Sequence, residues 1–471
     1  MTASSEDDGE QGPLWRALIP SLLVAAAVRA AVALAFAGTE PVGDERAYLL
    51  LGERLRLEGS YDGIWAPGYP ALIAALGAIF GEATSAALRG LQVLLGTWTV
   101  GWVGVVGATV GGRANGVLAA WIAALYLPLA GYSGLLFSEP VHLALFTPAL
   151  ALLARWAESQ GAWAEPQEAT GPRRLVAAGV LLGLSTLVRE STLLFLPFLA
   201  LWALRPGAPG LHLQVRPALT LVACTLATIL PWTLRNASVH GALVPVAIST
   251  GGSAHVGLNA HDVNYDLAGL GDDPARAPGA LRAAIRGPAP EPWAPAAEGP
   301  PAARARANVA SGLGFAARHP LYFLRSRAVE LVDLLSPLSF PVRSLRLADP
   351  GAPLASGWSR WLFAALAVLM VPLLLLAALR GATAMVASDA HRGLLLSVCA
   401  GVLASALVNG LTRYRLPALP LLIAFAALAI AGTREGDRRP GARLAALAGA
   451  GLILLWIPSL EPVQRTLSAL R

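Results

Sequence analysis

Residues 14–36 read LWRALIPSLLVAAAVRAAVALAF, an apolar run with Arg16 near its start and Arg29 deep inside it. A helix over this run would be ~34 Å long at 1.5 Å per residue, enough to cross a hydrocarbon core of about 30 Å. The run is too long and too weakly terminated for a cleaved signal peptide, and no small-residue cleavage site follows it. The whole chain has 471 residues, of which 14% are charged and 55% apolar. Soluble proteins carry about 25% charge, and a water-facing surface this poor in charge would aggregate, so most of it must face lipid. All 35 basic residues are arginine, and the formal net charge is +6. With so few exposed positions to carry it, this excess reads through the positive-inside rule rather than as a nucleic-acid footprint. Cys224 and Cys399 lie within apolar runs and behave as small hydrophobes, which leaves no disulfide framework or cysteine metal site.

Further candidate spans fall at 84–109, 115–136, 140–157, 175–188, 191–204, 217–234, 359–379, 393–411, 416–431 and 444–458. The chain therefore reads as an all-α polytopic membrane protein with about 11 transmembrane helices (range 10–13). The pair 175–188 and 191–204 is short enough to be one kinked span. With the N-terminus in the cytoplasm, the cytoplasmic segments carry Arg16, Arg113, Arg155, Arg173, Arg174, Arg205, Arg216, Arg380, Arg392, Arg434, Arg438, Arg439 and Arg443. The short loops on the other side carry far fewer. Tyr69–Phe80 is too short to span and would invert every later loop if it did; it reads as an interfacial helix on the outer face. The chain then divides into a cytoplasmic tail (1–13), an N-terminal transmembrane module (14–236) with a first outer loop at 38–83, an extracytoplasmic region (237–357) and C-terminal transmembrane helices (358–471). Within the third part, Asp272–Ala307 is dense in Pro, Ala and Gly and is expected to be poorly ordered. Phe315–Leu335 reads as one amphipathic helix.

Most polar residues beside the apolar runs fall at the outer edge: Asp44-Glu45-Arg46, Asp62, Ser138-Glu139, His142, Arg189-Glu190, Arg235-Asn236 and Arg413-Tyr414-Arg415. Charges at span ends are cheap, so each taken singly reads as solvated or snorkelling. Their convergence on one face is the signal. Asp44 stands where a helix N-cap belongs, and equally where a carboxylate at the lipid boundary could act as general base on an acceptor hydroxyl. Glu139 could ligate a divalent cation or favour a helix dipole. His142 follows at i+3 on the same face. Arg189, Arg235, Arg413 and Arg415 could together hold phosphate or pyrophosphate. Arg29 should face the bundle interior and have a partner that the sequence does not name. Trp65-Ala66-Pro67-Gly68-Tyr69-Pro70 reads first as a structural corner.

In order, GDERAYLLLGERL (43–55), WAPGYPALIAALGAIFG (65–81), FSEPVHLAL (137–145), GLSTLVRESTLL (183–194), PWTLRN (231–236) and LTRYRLPALPLL (411–422) resemble the bacterial GT-C glycosyltransferases. Among them the likeness is to the family-39, RgtA/B/C/D-like branch, related to protein O-mannosyltransferases and to the enzyme that adds aminoarabinose to lipid A. It covers residues 14–430. The resemblance implies a GT-C-like bundle in a bacterial plasma membrane, with its active site extracytoplasmic. It also implies a transferase that moves a sugar from a polyprenyl-phosphate carrier to an extracytoplasmic glycan, lipid or protein. Asp44 then matches the catalytic base, with Glu45 beside it. Glu139 matches a possible metal ligand, so a divalent cation is the one candidate cofactor. Arg413 and Arg415, flanking Tyr414, lie near the donor phosphate, and Arg46, Tyr69, His142, Arg189 and Arg235 complete the expected donor or substrate site. The chain departs from the family pattern at Ala66, where members often carry a basic residue before PGYP. Any donor-phosphate contact that such a residue supplies must come here from Arg46 or Arg189.

The mechanism this implies is a single displacement with inversion, in which arginines and a metal near Glu139 offset the leaving phosphate's charge. A polytopic transporter or lipid flippase is the alternative, and it would need midplane polar groups on several spans, where only Arg29 clearly qualifies. A lipid-binding scaffold would not need Asp44 and Glu139 together.

Overall fold

A computed structural model describes residues 12–159, 171–206, 213–249, 258, 284–290, 298–345, 357–383, 388–408, 410–431, 442–457 and 460–469. Arg434, Arg438, Arg439 and much of Asp272–Ala307 lie outside these. The described chain is helical apart from a two-residue antiparallel pairing of Arg205 with Gln214 and Pro206 with Leu213.

Helix α1 (Leu14–Ala35) follows the quoted run. Helices α2 (Asp44–Glu58) and α3 (Gly68–Phe80) fill the first loop. They pack so closely that a Cβ at Gly52 would collide with the Ile73 side chain. Helix α4 (Thr84–Leu125) turns back on itself at Gly111 (φ −147°, ψ 21°) and Gly112 (φ 84°, ψ 175°). Gly112 occupies a backbone region closed to most L-residues. The limbs then meet at small residues: a Cβ on Gly107 would fall 2.6 Å from that of Ala119, and one on Gly116 2.6 Å from the Gly104 carbonyl. This is how membrane helices gain close packing without a hydrophobic drive. The second limb stops at Leu125, short of the expected residue 136. Beyond it, Pro128, Gly131 and Gly134 break the chain into single turns at Leu127–Ala130 and Gly131–Ser133.

Helix α5 (Glu139–Glu158) and helix α6 (Gly171–Val188) come next. The backbone becomes extended at Arg189 (φ −145°, ψ 112°) before a 3-10 turn at Glu190–Leu194 and helix α7 (Leu196–Ala203). The short pair is thus two helices with a break between them. Helix α8 (Arg216–His240) ends at Gly241, φ 60°. The region expected to form one helix at Phe315–Leu335 forms two, α9 (Pro301–Arg318) and α10 (Pro320–Leu335), separated at His319 (φ −127°, ψ 56°). Pro320 disfavours helical geometry in the residue before it and is tolerated at a helix start. Residues 301–307, expected to be poorly ordered, open α9 instead, with Pro300-Pro301 at its start followed by helix-favouring Ala and Arg. A short helix α11 (Phe340–Ser344) precedes α12 (Gly357–Ala382) and α13 (Asp389–Ala406). A 3-10 segment, Thr412–Ala418, leads into α14 (Leu419–Ala431), and α15 (Ala442–Trp456) and α16 (Leu460–Ala469) complete the order.

Seven helical segments among the described residues are long and apolar enough to cross a membrane: Leu14–Ala35, Gly68–Leu125, Glu139–Glu158, Gly171–Val188, Arg216–His240, Gly357–Ala382 and Thr412–Ala431. About eleven were expected. The second segment contains the α4 reversal, and the apolar helices 190–203 and 446–456 are shorter. Glu139–Glu158 and Thr412–Ala431 are 78% buried across their most apolar windows and form the axis of a multi-pass bundle. Leu23, Leu94, Leu219, Leu230, Leu373 and Leu396 are exposed on the outer helices, as lipid-facing residues must be.

Charged residues gather at both ends of this bundle. At one end Arg174 donates to the Arg155 carbonyl (3.1 Å) and Arg392 to that of Ala382 (2.9 Å). Arg113 sits there as well, just after the α4 reversal. Asp44, Glu45 and Glu139 lie at the other, with Arg189 and Arg413 beside them.

Candidate active site

At the end that carries Asp44 and Glu139, the N-terminus of α2 meets that of α5, the break after α6 and the 3-10 segment before α14. Gly43, not Asp44, occupies the cap position of α2, and Asp44 is the first helical residue, with no side-chain cap bond. Its carboxylate turns outward to Arg413, whose Nη1 lies 2.7 Å from Oδ2. Asp44 keeps 38% of its side-chain surface exposed, against 14% for Arg413. Glu45 turns inward. Its Oε1 accepts from the Leu136 N–H (2.7 Å) and its Oε2 from that of Val42 (3.4 Å). Burial pushes the Glu45 carboxyl up, against the pull of those two N–H groups and of Arg89.

Glu139 opens α5 and is almost wholly buried. Its Oε1 receives Arg189 Nη1 at 2.6 Å and stands 4.0 Å from Arg413 Nη1. A buried ion pair is stable only where hydrogen bonds complete it. Arg189 is completed by Ser138 Oγ (3.1 Å), which also meets the Tyr48 hydroxyl (3.2 Å). Burial pushes the Tyr48 phenol up, so it is held as a hydroxyl. Arg189 stacks toward the Tyr414 ring (5.7 Å) and Arg413 toward that of Phe137 (5.9 Å). Asp44, Arg413, Glu139 and Arg189 thus form one alternating chain of charge reaching from an exposed mouth to a buried floor. The sequence places these residues at one level, and the fold brings them to ion-pair distance.

His142 lies one turn below Glu139, its Nδ1 2.8 Å from Ser185 Oγ and 3.5 Å from Thr192 Oγ1. Glu139 Oε2 and His142 Nε2 are both buried without a hydrogen-bond partner. A divalent cation would use these two atoms, completed by water and substrate oxygens as hard cations allow. Among the described residues no cluster of three His, Cys, Asp or Glu side chains forms.

The remaining expected site residues divide. Tyr69 is buried under the site, donating to Gln92 Oε1 (2.8 Å) and packing edge-on against Tyr48 at 4.8 Å. Arg235 donates to the Tyr61 carbonyl, stacks on Trp232 at 4.7 Å and so ties α8 to the first loop. Arg46 is exposed, with no ion pair among the described residues. Arg415 is turned away from the charge chain, and its Nη1 donates to the carbonyls of Leu334 (3.1 Å) and Ser336 (2.5 Å). Sequence reasoning did not single out Tyr48, or Phe137, whose one signal was its place before Ser138-Glu139.

The fold on which this site is built is a GT-C-like bundle. An oligosaccharyltransferase from Archaeoglobus fulgidus, solved in the apo form, matches it with a TM-score of 0.51 at 15% identity. That match covers 98% of this chain and 57% of the other, so this chain spans little more than half its length. Oligosaccharyltransferase AglB of the same organism, in complex with an inhibitory peptide and a dolichol-phosphate, gives 0.49 at 14% identity over 95% and 56%. ArnT from Cupriavidus metallidurans, in the apo state, gives 0.38 at 16% over 86% and 77%. No protein-family model and no curated protein matches the sequence.

Proposed function

We propose that this chain is a membrane glycosyltransferase that moves a sugar from a polyprenyl-phosphate-linked donor to an acceptor on the extracytoplasmic side, with Asp44 as general base. The observation that carries this reading is the shared guanidinium of Arg413, 2.7 Å from Asp44 and 4.0 Å from Glu139. A base at the exposed mouth and a phosphate-binding cation side by side are what transfer from a phosphate-linked donor requires. The GT-C-like fold supports the reading.

In the reaction, the acceptor oxygen bonds to the anomeric carbon as its proton passes to Asp44 Oδ2. The bond from that carbon to the phosphate oxygen breaks, and the polyprenyl phosphate leaves with the electron pair. The configuration inverts. Arg413 and Arg189 bind the phosphate and offset its growing charge. Before this the donor must compete with Asp44 for Arg413, so donor binding frees the base at the moment it is needed. Tyr48 and Ser138 hold Arg189 in place, and Glu45 fixes the start of α2 so that Asp44 faces outward. A divalent cation bound at Glu139 and His142 would add further charge to the leaving side. On this proposal the end that carries Arg113, Arg155, Arg174 and Arg392 is cytoplasmic by the positive-inside rule, with the N-terminus on that side and the site outside.

A transporter would need a polar path through the bundle. Arg29, its strongest candidate, donates to the carbonyls of Ala25, Ala123 and Ala124 (3.3–3.4 Å), which gives it a structural use. The test is Asp44→Asn, which should fold normally and lose transfer. Near-normal turnover in that variant would sink the assignment.

A further inference from the structure

The segment bearing Arg413 is gripped by α10 on both sides. Ahead of it, α13 ends and leaves orphan carbonyls. Arg327 Nη1 donates to two of them, Ala406 (3.4 Å) and Leu407 (2.9 Å). Next, the Gly410 N–H donates to Glu330 Oε2 at 2.7 Å. The backbones are so close here that a Cβ on Gly410 would collide with the Glu330 carbonyl oxygen. Beyond Arg413, Arg415 reaches back to the carbonyls of Leu334 and Ser336 at the end of α10. Positions 327, 330 and 334 stand on one face of that helix. Arg327 and Arg415 are 9% and 5% exposed, so their bonds are made away from water.

The geometry between these anchors explains why neighbouring arginines differ. Thr412–Ala418 is a 3-10 segment, and with three residues per turn successive side chains point ~120° apart. Fixing Arg415 on α10 therefore fixes the direction in which Arg413 leaves the backbone, toward Asp44 and Glu139. We infer that α10 sets the aim of Arg413, with Glu330 and Arg415 as positioning residues that act through it and do not themselves touch the donor. This rests on the reading of Arg413 as a phosphate contact. It also gives the region between α8 and α12 a part in the catalytic geometry.

A clamp that only stabilised the fold would predict the same hydrogen bonds, so the test must ask whether the effects pass through Arg413. The probe is a polyprenyl monophosphate, with its dissociation constant measured on the purified full-length chain and thermal unfolding followed in parallel. Arg413→Ala should weaken binding by about 10-fold or more, the loss of a charge-assisted contact. Arg415→Met keeps an apolar stem and removes the donors to both carbonyls, and Glu330→Ala removes the acceptor for Gly410. Each should weaken binding ~3- to 10-fold in the wild-type background and by nothing further once Arg413 is alanine. Glu330→Gln retains an acceptor oxygen and should restore binding. If the losses persist undiminished in the Arg413→Ala background, or if folded variants bind as wild type does, the positioning role is overturned alone. If wild type does not bind the probe, the donor reading is overturned and this role with it.

Discussion

Asp44 and Glu45 begin the same helical turn, yet their side chains leave it in opposite directions. Neither role could be assigned from the sequence, where an N-cap and a general base are equally natural for Asp44. The fold separates them, because Gly43 takes the cap position and Glu45 takes the backbone N–H groups. Asp44 is then left with Arg413 as its one ion-pair partner among the described residues. Removing its charge should therefore tighten the binding of a polyprenyl phosphate, since Asp44→Asn deletes a competing anion. A partly exposed pair of this kind is worth ~1 kcal/mol, so a gain of about 2- to 5-fold is expected by direct titration. Weaker binding in that variant would contradict the exchange. Glu45 makes a prediction of opposite character. Its folded pKa is raised by burial, so its contribution to stability is fully present below the unfolded value of about 4.3 and is lost as pH rises through the folded value. Glu45→Gln does not titrate. Unfolding midpoints measured from pH 4 to 8 should thus shift in favour of the variant as pH rises, and a gap that stays constant would show that Glu45 is not destabilised by its burial.

Arg29 shows what elements contribute that residues do not. The sequence says that an arginine inside a span needs a partner, and an acid is the obvious candidate. Its partners instead include the Ala123 and Ala124 carbonyls at the end of the α4 return limb, which have no successor in the helix. Backbone carbonyls leave no mark in a sequence, so this contact was illegible. Arg29→Met keeps the apolar stem and removes the donors, and should lower stability by ~1–3 kcal/mol in a denaturation series. The α4 reversal was legible in outline as two apolar runs with Gly111-Gly112 between them. Its tightness was not, because that depends on which glycines face each other across the hairpin. Gly107→Leu forces a side chain into the 2.6 Å gap beside Ala119 and should destabilise by about 1–3 kcal/mol or prevent folding. The same substitution at Gly90, where no atom lies within 4 Å, should do far less. Equal losses at the two positions would mean that the limbs are not packed as described.

Across the whole molecule, what the sequence made legible was the level of each polar motif. Charges at the ends of long apolar runs can only sit near the lipid boundary. Which motifs touch was not legible, since Asp44 and Arg413 are separated by most of the chain, and three adjacent residues at 413–415 face three directions in a 3-10 turn. Arg415 was grouped with Arg413 by its spacing, while in the fold it grips α10. The helix count was limited in the same way. Hydropathy marks apolar length, but Pro128, the break at Arg189 and the α4 reversal decide where helices end. The proposed reaction depends on Asp44 removing the acceptor proton in sugar transfer from a polyprenyl-phosphate donor. The direct measurement is release of free polyprenyl phosphate when the purified protein meets a panel of polyprenyl-phosphate sugars, compared between wild type and Asp44→Asn. Wild type should release it from at least one donor, and the variant should lose about 10²- to 10⁴-fold in rate while remaining folded. Release by the variant at the wild-type rate, or no release from any donor by wild type, would contradict that role.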